Sequence, residues 1–319
     1  MKTVIGKDWQ RAATLLKEGA IVAIPTETVY GLAGNALDDR AVAAIFAAKN
    51  RPSFDPLIIH TSRFERVEAW VDRIPDVAWA LATAFMPGPL TLLLPRLPVI
   101  PDMVTAGSSR VAVRIPSHPL TRHLLAELDF PVAAPSANPF GYISPTTAEH
   151  VARQLGGKIP YILDGGGCTV GIESTIVGFE EGKTIIYRKG GLAVEAIESI
   201  AGQVHIKLHS SSNPSAPGML KSHYAPSVPL RLGILDELLP LYTGQKTGVI
   251  SFQRFFSDIP SEHQVVLSPS GDLQEAARQL FAGMRRLDTL DLDIILAELV
   301  PEEGLGRAIN DRLRRAGAI

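Results

Sequence analysis

Through its first two hundred residues the chain alternates short apolar runs with longer stretches whose apolar positions recur every three or four residues. "DWQRAATLLKEG" reads as an amphipathic helix, with Asp8 near its N-cap and Gly19 just past its end. "AIVAIP" is a short apolar strand, and "DRAVAAIFAAKN" predicts a second helix. "PLIIH", "LTLLLP", "VAVRIP", "PVAAPS" and "IPYILD" are further apolar runs, each stopped by Pro, His or Asp. Helical stretches such as "HPLTRHLLAEL" and "TTAEHVARQLGG" lie between several of them. This alternation predicts an α/β domain, a sheet covered by helices. "ESTIVGF" and "TIIYRKG" flank the hairpin signal "EEGK", so the twisted sheet is expected to mix parallel and antiparallel strands. The helix "LAVEAIESIAG" closes this domain near residue 202.

From 203 to 227 no regular element is predicted, and "HSSSNPSAPG" has loop composition. Beyond it, "VPLRLGIL", "TGVISF", "HQVVLS" and "DIILAELV" read as strands, and "DLQEAARQLFAGMRRL" and "LGRAINDRLRRAGA" as helices. The expected organisation is a domain over 1–202, a linker over 203–227, and a smaller Rossmann-like α/β domain over 228–319.

Composition narrows the function classes. With 46% hydrophobic and 20% charged residues the chain can bury an ordinary core, which excludes wholesale disorder. A net charge of −2 argues against a protein whose main work is wrapping nucleic acid, although a local basic pocket stays possible. One cysteine, Cys168, excludes an internal disulfide and any cysteine-rich metal site. The opening "MKTVIGKDWQRAATLL" has no apolar signal core, and no apolar run approaches the roughly 18 residues that span a membrane. A cytoplasmic protein without membrane attachment is the expectation.

Several tempting motifs fail on inspection. "DGGGCTVG" lacks both the dinucleotide fingerprint and the Gly-Lys-Ser/Thr ending of a P-loop, and reads as a tight turn leaving a strand. His205 and His209 have no third partner for a metal, and no metal ligands are assigned to the protein. No Gly-x-Ser-x-Gly elbow is present. The arginine run at 312–315 closes a helix, where cations suit the dipole.

What remains is a set of polar groups at strand ends, where open α/β sheets build sites. "PTETVYGL" supplies Thr26, Glu27, Thr28 and Tyr30, and "KNRPSFDPLIIH" supplies Lys49, Arg51 and His60. "RVAVRIP" sets Arg114 in an apolar strand, where it must reach water or meet an anion. "APSANPFGYISPTTAEH" carries Ser136, Asn138 and Ser144, "GIESTIVGF" carries Ser174, and "YRKG" carries Arg188. Lys49, Arg51, Arg114 and Arg188 around hydroxyls suit phosphates plus a carboxylate, both of which arginine can fork.

"PTETVYGLAGNA", "KNRPSFDPLI", "VAVRIPSHP", "APSANPFGYISPT", "GIESTIVG" and "IYRKGG", in this order, resemble a YrdC-type domain. With the later "SAPGMLKSHYAP" and a small α/β domain, the chain is similar to the two-domain threonylcarbamoyl-AMP synthase family. The resemblance implies an enzyme that joins L-threonine, bicarbonate or carbon dioxide, and ATP into threonylcarbamoyl-AMP and pyrophosphate, with magnesium accompanying the nucleotide. Its product would feed a downstream threonylcarbamoyl-transferase machinery that modifies an adenosine next to the tRNA anticodon. On the family pattern threonine would meet Thr28, His60, Arg114, the backbone of Ala134, and Ser174. ATP would meet Arg51, Asp55, Arg110, Ser136, Ser144, Arg188 and Tyr224. Lys49 and Arg51 would stabilise phosphate charge without a protein nucleophile, with Tyr30, Asn138, Lys221 and His223 nearby.

Asp55 and Arg110 depart from the family's usual asparagine and small hydroxyl residue. An acid beside a triphosphate needs magnesium or Arg51 between them. About 25 residues of linker, at roughly 3.3 Å each, span some 80 Å, far more than adjacent domains require. Its Lys221, His223 and Tyr224 therefore predict a lid, with Gly218 as hinge and Tyr224 near the nucleotide. Two alternatives stay open. An RNA-binding module without chemistry conflicts with the near-neutral charge and the lack of interleaved aromatics; for the enzyme itself, weak tRNA binding is the expectation. Carbamoyl transfer from another donor leaves the linker and the threonine-side residues unexplained.

Overall fold

The computed structural model describes residues 1–207 and 223–318. Among these, eleven strands form one mixed sheet and four form a second. The first sheet contains β1 (Val4–Gly6), β2 (Val22–Ile24), β3 (Gly31–Asn35), β4 (Ile58–His60), β5 (Leu90–Pro95) and β6 (Arg110–Arg114). It continues with β7 (Val132–Ala133), β8 (Tyr161–Leu163), β9 (Thr175–Glu180), β10 (Lys183–Arg188) and β11 (Val204–Ile206). Its helices are α1 (Trp9–Lys17), α2 (Asp39–Lys49), α3 (Asp76–Phe85), α4 (Asp102–Thr105), α5 (Pro119–Ala126), α6 (Ala148–Leu155) and α7 (Val194–Ala201). The second unit has β12 (Leu230–Leu232), β13 (Thr247–Ser251), β14 (Gln264–Val266) and β15 (Ile294–Ala297), with α8 (Leu235–Leu238), α9 (Leu273–Asp288) and α10 (Gly306–Ala316).

Strand periodicity assigns each helix to a side of the sheet. Val22 and Ile24 of β2 pack with Ala12 and Leu16 of α1 and Leu124 and Leu125 of α5. Ala23, between them, faces the opposite cluster with Val42 and Ile45 of α2. Both faces are covered, which is why these strands are apolar at every position. Side-chain caps set the helix starts: Asp8 accepts from the Arg11 amide at 2.9 Å, and Asp38 from the Arg40 amide at 2.9 Å. Strand order in the first sheet is β1-β8-β2-β3-β7-β4-β6-β5-β9-β10-β11. β9 and β10 form the expected antiparallel hairpin, turning at Glu181 and Gly182, both at positive φ. The small sheet, β12-β15-β13-β14, is parallel throughout.

Several features differ from the sequence reading, among them β1 and α3, which it did not name. Sheet structure does not stop near residue 202, because β11 pairs in parallel with β10. β3 was not foreseen either. Its sequence, GLAGN, is poor in strand formers, yet it pairs with β2 and β7.

The two units share a core. Val29, Ile143, Ile172 and Tyr224 belong to the same apolar cluster as Leu280, Phe281 and Met284 of α9. Arg285 of α9 donates to the carbonyls of Ile143 and Ser144, the latter at 3.1 Å, and to Gln154 at 2.9 Å. Asp288 takes the Tyr142 hydroxyl and, at 2.9 Å, the Val228 amide. Gly171 lets α9 come this close: a Cβ there would lie 2.4 Å from the Arg278 Cα, and its φ of +82° is strained for other residues. Gly171→Ala should therefore destabilise the docked pair of units by on the order of 3 kcal/mol. Chemical denaturation would measure this, and an unchanged midpoint would mean that α9 shifts without cost.

Candidate active site

Register brings the polar strand ends together. β4 and β6 run parallel with His60 opposite Arg114, so both side chains leave the sheet at the same end. β5 and β9 pair from Leu90 and Thr175 onward, which sets Ser174 just before β9 and Arg188 at the end of neighbouring β10. Gly190 is needed nearby, since a Cβ there would sit 2.3 Å from the Glu173 carbonyl oxygen. These ends surround a cavity of about 550 Å3 of empty space, counting its open mouth.

The cavity brings together Thr28, Arg51, Asp55, His60, Arg114, Ala134, Ser136, Ser174, Arg188, His223 and Tyr224 from the sequence-predicted set. Arg114 donates to the Thr28 hydroxyl at 2.8 Å and to the Gly88 carbonyl at 3.3 Å. Its Nη2 lies 2.7 Å from Glu27, an ion pair off the angle of a hydrogen bond. Thr26 braces the loop by accepting the Thr28 and Val29 amides, each at 3.2 Å. Arg188 donates to the Ser174 carbonyl at 3.0 Å and to its hydroxyl at 3.1 Å, and Thr91 meets that hydroxyl at 2.7 Å. Arg51 and Asp55 are 2.8 Å apart, so the acid enters the cavity beside its own counter-ion.

Five predicted residues stand elsewhere. The Lys49 ammonium is buried behind the wall, donating to the Ser136 and Asn138 carbonyls, the latter at 2.5 Å. Burial, then Arg51, push its pKa well down. Asn138 ties the Pro139 and Tyr142 carbonyls at 2.8 Å each. The Ser144 hydroxyl donates to Glu173 at 2.6 Å, and the Tyr30 hydroxyl to the Gly166 carbonyl at 2.7 Å, holding the glycine-rich turn. Arg110 is at the other end of β6, roughly 13 Å from Arg114 at about 3.3 Å per residue. Its guanidinium is taken by Glu180 at 2.9 Å and by the Tyr187 hydroxyl at 2.8 Å. Lys221 and the hinge proposed at Gly218 lie outside the described residues.

Glu173, Arg312 and Arg315 were not picked out as site residues by the sequence reading, and Glu27, named there among the strand-end groups, was given no role. Arg312, 0% exposed, binds Glu173 through Nε and Nη2, each at 3.2 Å, and the Lys189 carbonyl at 2.5 Å. The guanidiniums of Arg315 and Arg312 lie 4.7 and 5.5 Å from the Tyr224 ring centre, and Phe281 packs against the same ring at 5.3 Å. The run at 312–315 therefore does more than complement a helix dipole. Heptad position hid this, since Arg312 falls on the buried face of α10 among Ile309, Leu313 and Ala316. Tyr224 itself has a φ of 67°, a costly left-handed backbone for a tyrosine.

Burial, and then Arg114, lower the His60 pKa to about 3, so this ring is neutral. His223 is held well below its usual value by burial, then by Arg315, Arg51, Lys49 and Arg188. Burial alone would raise the Glu173 pKa, but Arg312, Arg188 and the Ser144 hydroxyl bring it below the ordinary carboxylate value. The site sets fixed guanidiniums and neutral rings beside two carboxylates, Asp55 and Glu173, each paired with an arginine. Among the described residues no group of three His, Cys, Asp or Glu could hold a metal, and no helix is long and apolar enough to cross a membrane.

Fold and cavity define the class: a two-unit α/β protein whose strand ends, with His223 and Tyr224, enclose a cavity lined by arginines and hydroxyls. The family described as telomere recombination (Sua5, YciO and YrdC) matches residues 14–190, and that of the threonylcarbamoyl-AMP synthase C-terminal domain matches 192–318. The threonylcarbamoyl-AMP synthase of Pyrococcus abyssi is 42% identical over 320 residues, covering 96% of this chain and 92% of its own. That of Bacillus subtilis is 39% identical over 317 residues, with the same 96% and 92% coverage. The crystal structure of P. abyssi Sua5 complexed with L-threonine superposes with a TM-score of 0.91 at 40% identity, over 99% of this chain and 97% of that one. The chain belongs to the Sua5–YciO–YrdC family, in the two-domain form of the threonylcarbamoyl-AMP synthases.

The depressed His60 value has a thermodynamic consequence. Unfolding lets the ring bind a proton below its unfolded pKa of about 6.5, while the native ring stays neutral until about pH 3. Stability should be full above pH 6.5 and fall as pH drops through the interval, by up to about 1.4 kcal/mol per pH unit from this residue. Denaturation midpoints of wild type and His60→Gln between pH 7 and 4 check this. Parallel curves for the two would exclude the histidine as a source.

Proposed function

We propose that this chain condenses L-threonine, bicarbonate and ATP into threonylcarbamoyl-AMP and pyrophosphate, for threonylcarbamoyl transfer to tRNA in the cytoplasm. The observation that carries the reading is the convergence of Arg51, Arg114 and Arg188 with Thr28, Ser174 and neutral His60 on one cavity. Arg114 takes the threonine carboxylate, with Thr28, His60, Ser174 and the Ala134 backbone around the amino acid. Arg51, Ser136, Arg188 and Tyr224 face the nucleotide.

The chemistry then requires no protein nucleophile. Bicarbonate takes up a proton and loses water to give carbon dioxide, to which threonine's amine adds, losing a proton and forming a carbamate. A carbamate oxygen attacks the α-phosphorus, and the bond to pyrophosphate breaks. Cys168 fits this scheme: it is buried, and burial pushes its thiol pKa up, away from the thiolate. Catalysis rests on holding two anions against their repulsion and on fixed positive charge near the breaking bond. Magnesium would enter with the triphosphate. Asp55, paired with Arg51, is the one carboxylate lining the cavity outside the Glu173 pair, too little for a protein-built metal cage, so no step is assigned to the metal.

Pyrophosphate release from ATP should require both threonine and bicarbonate, and release independent of threonine would overturn the reading. Arg114→Ala should weaken threonine binding by on the order of 2–5 kcal/mol. Calorimetry on the folded variant measures this, and unchanged threonine affinity would remove the carboxylate assignment.

A further inference from the structure

The residues that the first unit contributes to the cavity nearly cancel in charge. Arg51 faces Asp55, Arg114 faces Glu27, which meets it from behind the lining, and the cavity also contains Arg188 and Glu173. Three guanidiniums thus stand against three carboxylates, and the Lys49 ammonium behind them is occupied by two carbonyls. A pocket so balanced is poorly suited to a triphosphate. Glu173 is the critical acid, because it lines the space where phosphates would enter beside Arg188.

α10 changes this balance. It brings Arg312 and Arg315 up behind Glu173 and Tyr224, which line the cavity, with Asp311 contacting them at 3.0 and 3.6 Å. Arg312 meets Glu173 with two nitrogens of its fork, and the Ser144 hydroxyl satisfies the other carboxylate oxygen. The same arginine adds its charge to one face of the Tyr224 ring.

We infer that Arg312 is a positioning residue for nucleotide binding: the C-terminal unit neutralises Glu173 through it and supplies the excess positive charge the cavity needs to accept a triphosphate. This deepens the proposed function and rests on it for the identity of the ligand. It assigns the second unit a part in the active site rather than a separate activity.

The test compares ATP and threonine affinities, by calorimetry on the full chain, for Arg312→Met, Arg312→Lys, Glu173→Gln and the Arg312→Met/Glu173→Gln pair. Arg312→Met keeps most of the volume and removes the charge; it should weaken ATP at least tenfold and leave threonine within about twofold. Adding Glu173→Gln should recover most of that loss, because the acid that Arg312 offsets is then gone. Arg312→Lys should stay within about threefold of wild type. Equal losses for both ligands with a lowered melting temperature, or no recovery in the pair, would make Arg312 a packing residue and overturn the inference. Should Arg312→Met fail to fold, Glu173→Gln alone decides: unchanged or tighter ATP binding supports the inference, and tenfold weaker binding overturns it. Wild type that bound ATP without releasing pyrophosphate would remove the proposed reaction and leave this electrostatic assignment standing.

Discussion

Glu173 and Arg312 meet in a largely buried place, one just before β9 of the large sheet and the other on the final helix. Buried ions are costly unless each finds a counter-charge and its remaining hydrogen bonds are satisfied. Ser144 and the Lys189 carbonyl complete that set. The pairing in turn dictates where α10 must lie, which fixes the Tyr224 ring between the arginines and Phe281. A contact between two units is thereby also a wall of the cavity.

The same logic runs through the rest of the pocket. Each of its arginines is held by a carbonyl, a hydroxyl or an acid, so none has to reorganise when an anion arrives. The histidines stay neutral because burial and neighbouring guanidiniums act in the same direction. Apolar packing keeps this arrangement in place, since the shared cluster of Ile143, Ile172, Phe281 and Met284 joins the units beside the charged groups.

Much of this was legible in the residues. Asp8, Gly19 and the "EEGK" turn marked element ends through local chemistry, and the coordinates place those ends accordingly. Arg114 stood out because an arginine inside an apolar strand needs a reason. Other parts were hidden by distance along the chain. Nothing in "NDRLRR" shows that Arg312 faces inward to an acid 139 residues away. Lys49 looked like a phosphate ligand by its neighbours, yet its stem enters the protein, and two carbonyls of the 136–138 loop claim the ammonium. Arg110 and Arg114 share a strand face, but strand rise separates their tips, and Glu180 captures the first. Residues 208–222, the heart of the predicted lid, lie outside the described structure.

The span between Glu173 and Arg312 also has a meaning in time. With the two 139 positions apart, and synthesis at about 5–20 residues per second, the acid precedes its partner by roughly 7–28 s. A nascent chain that has finished the large sheet therefore holds Glu173 without the arginine that pairs with it in the finished fold until the last helix follows.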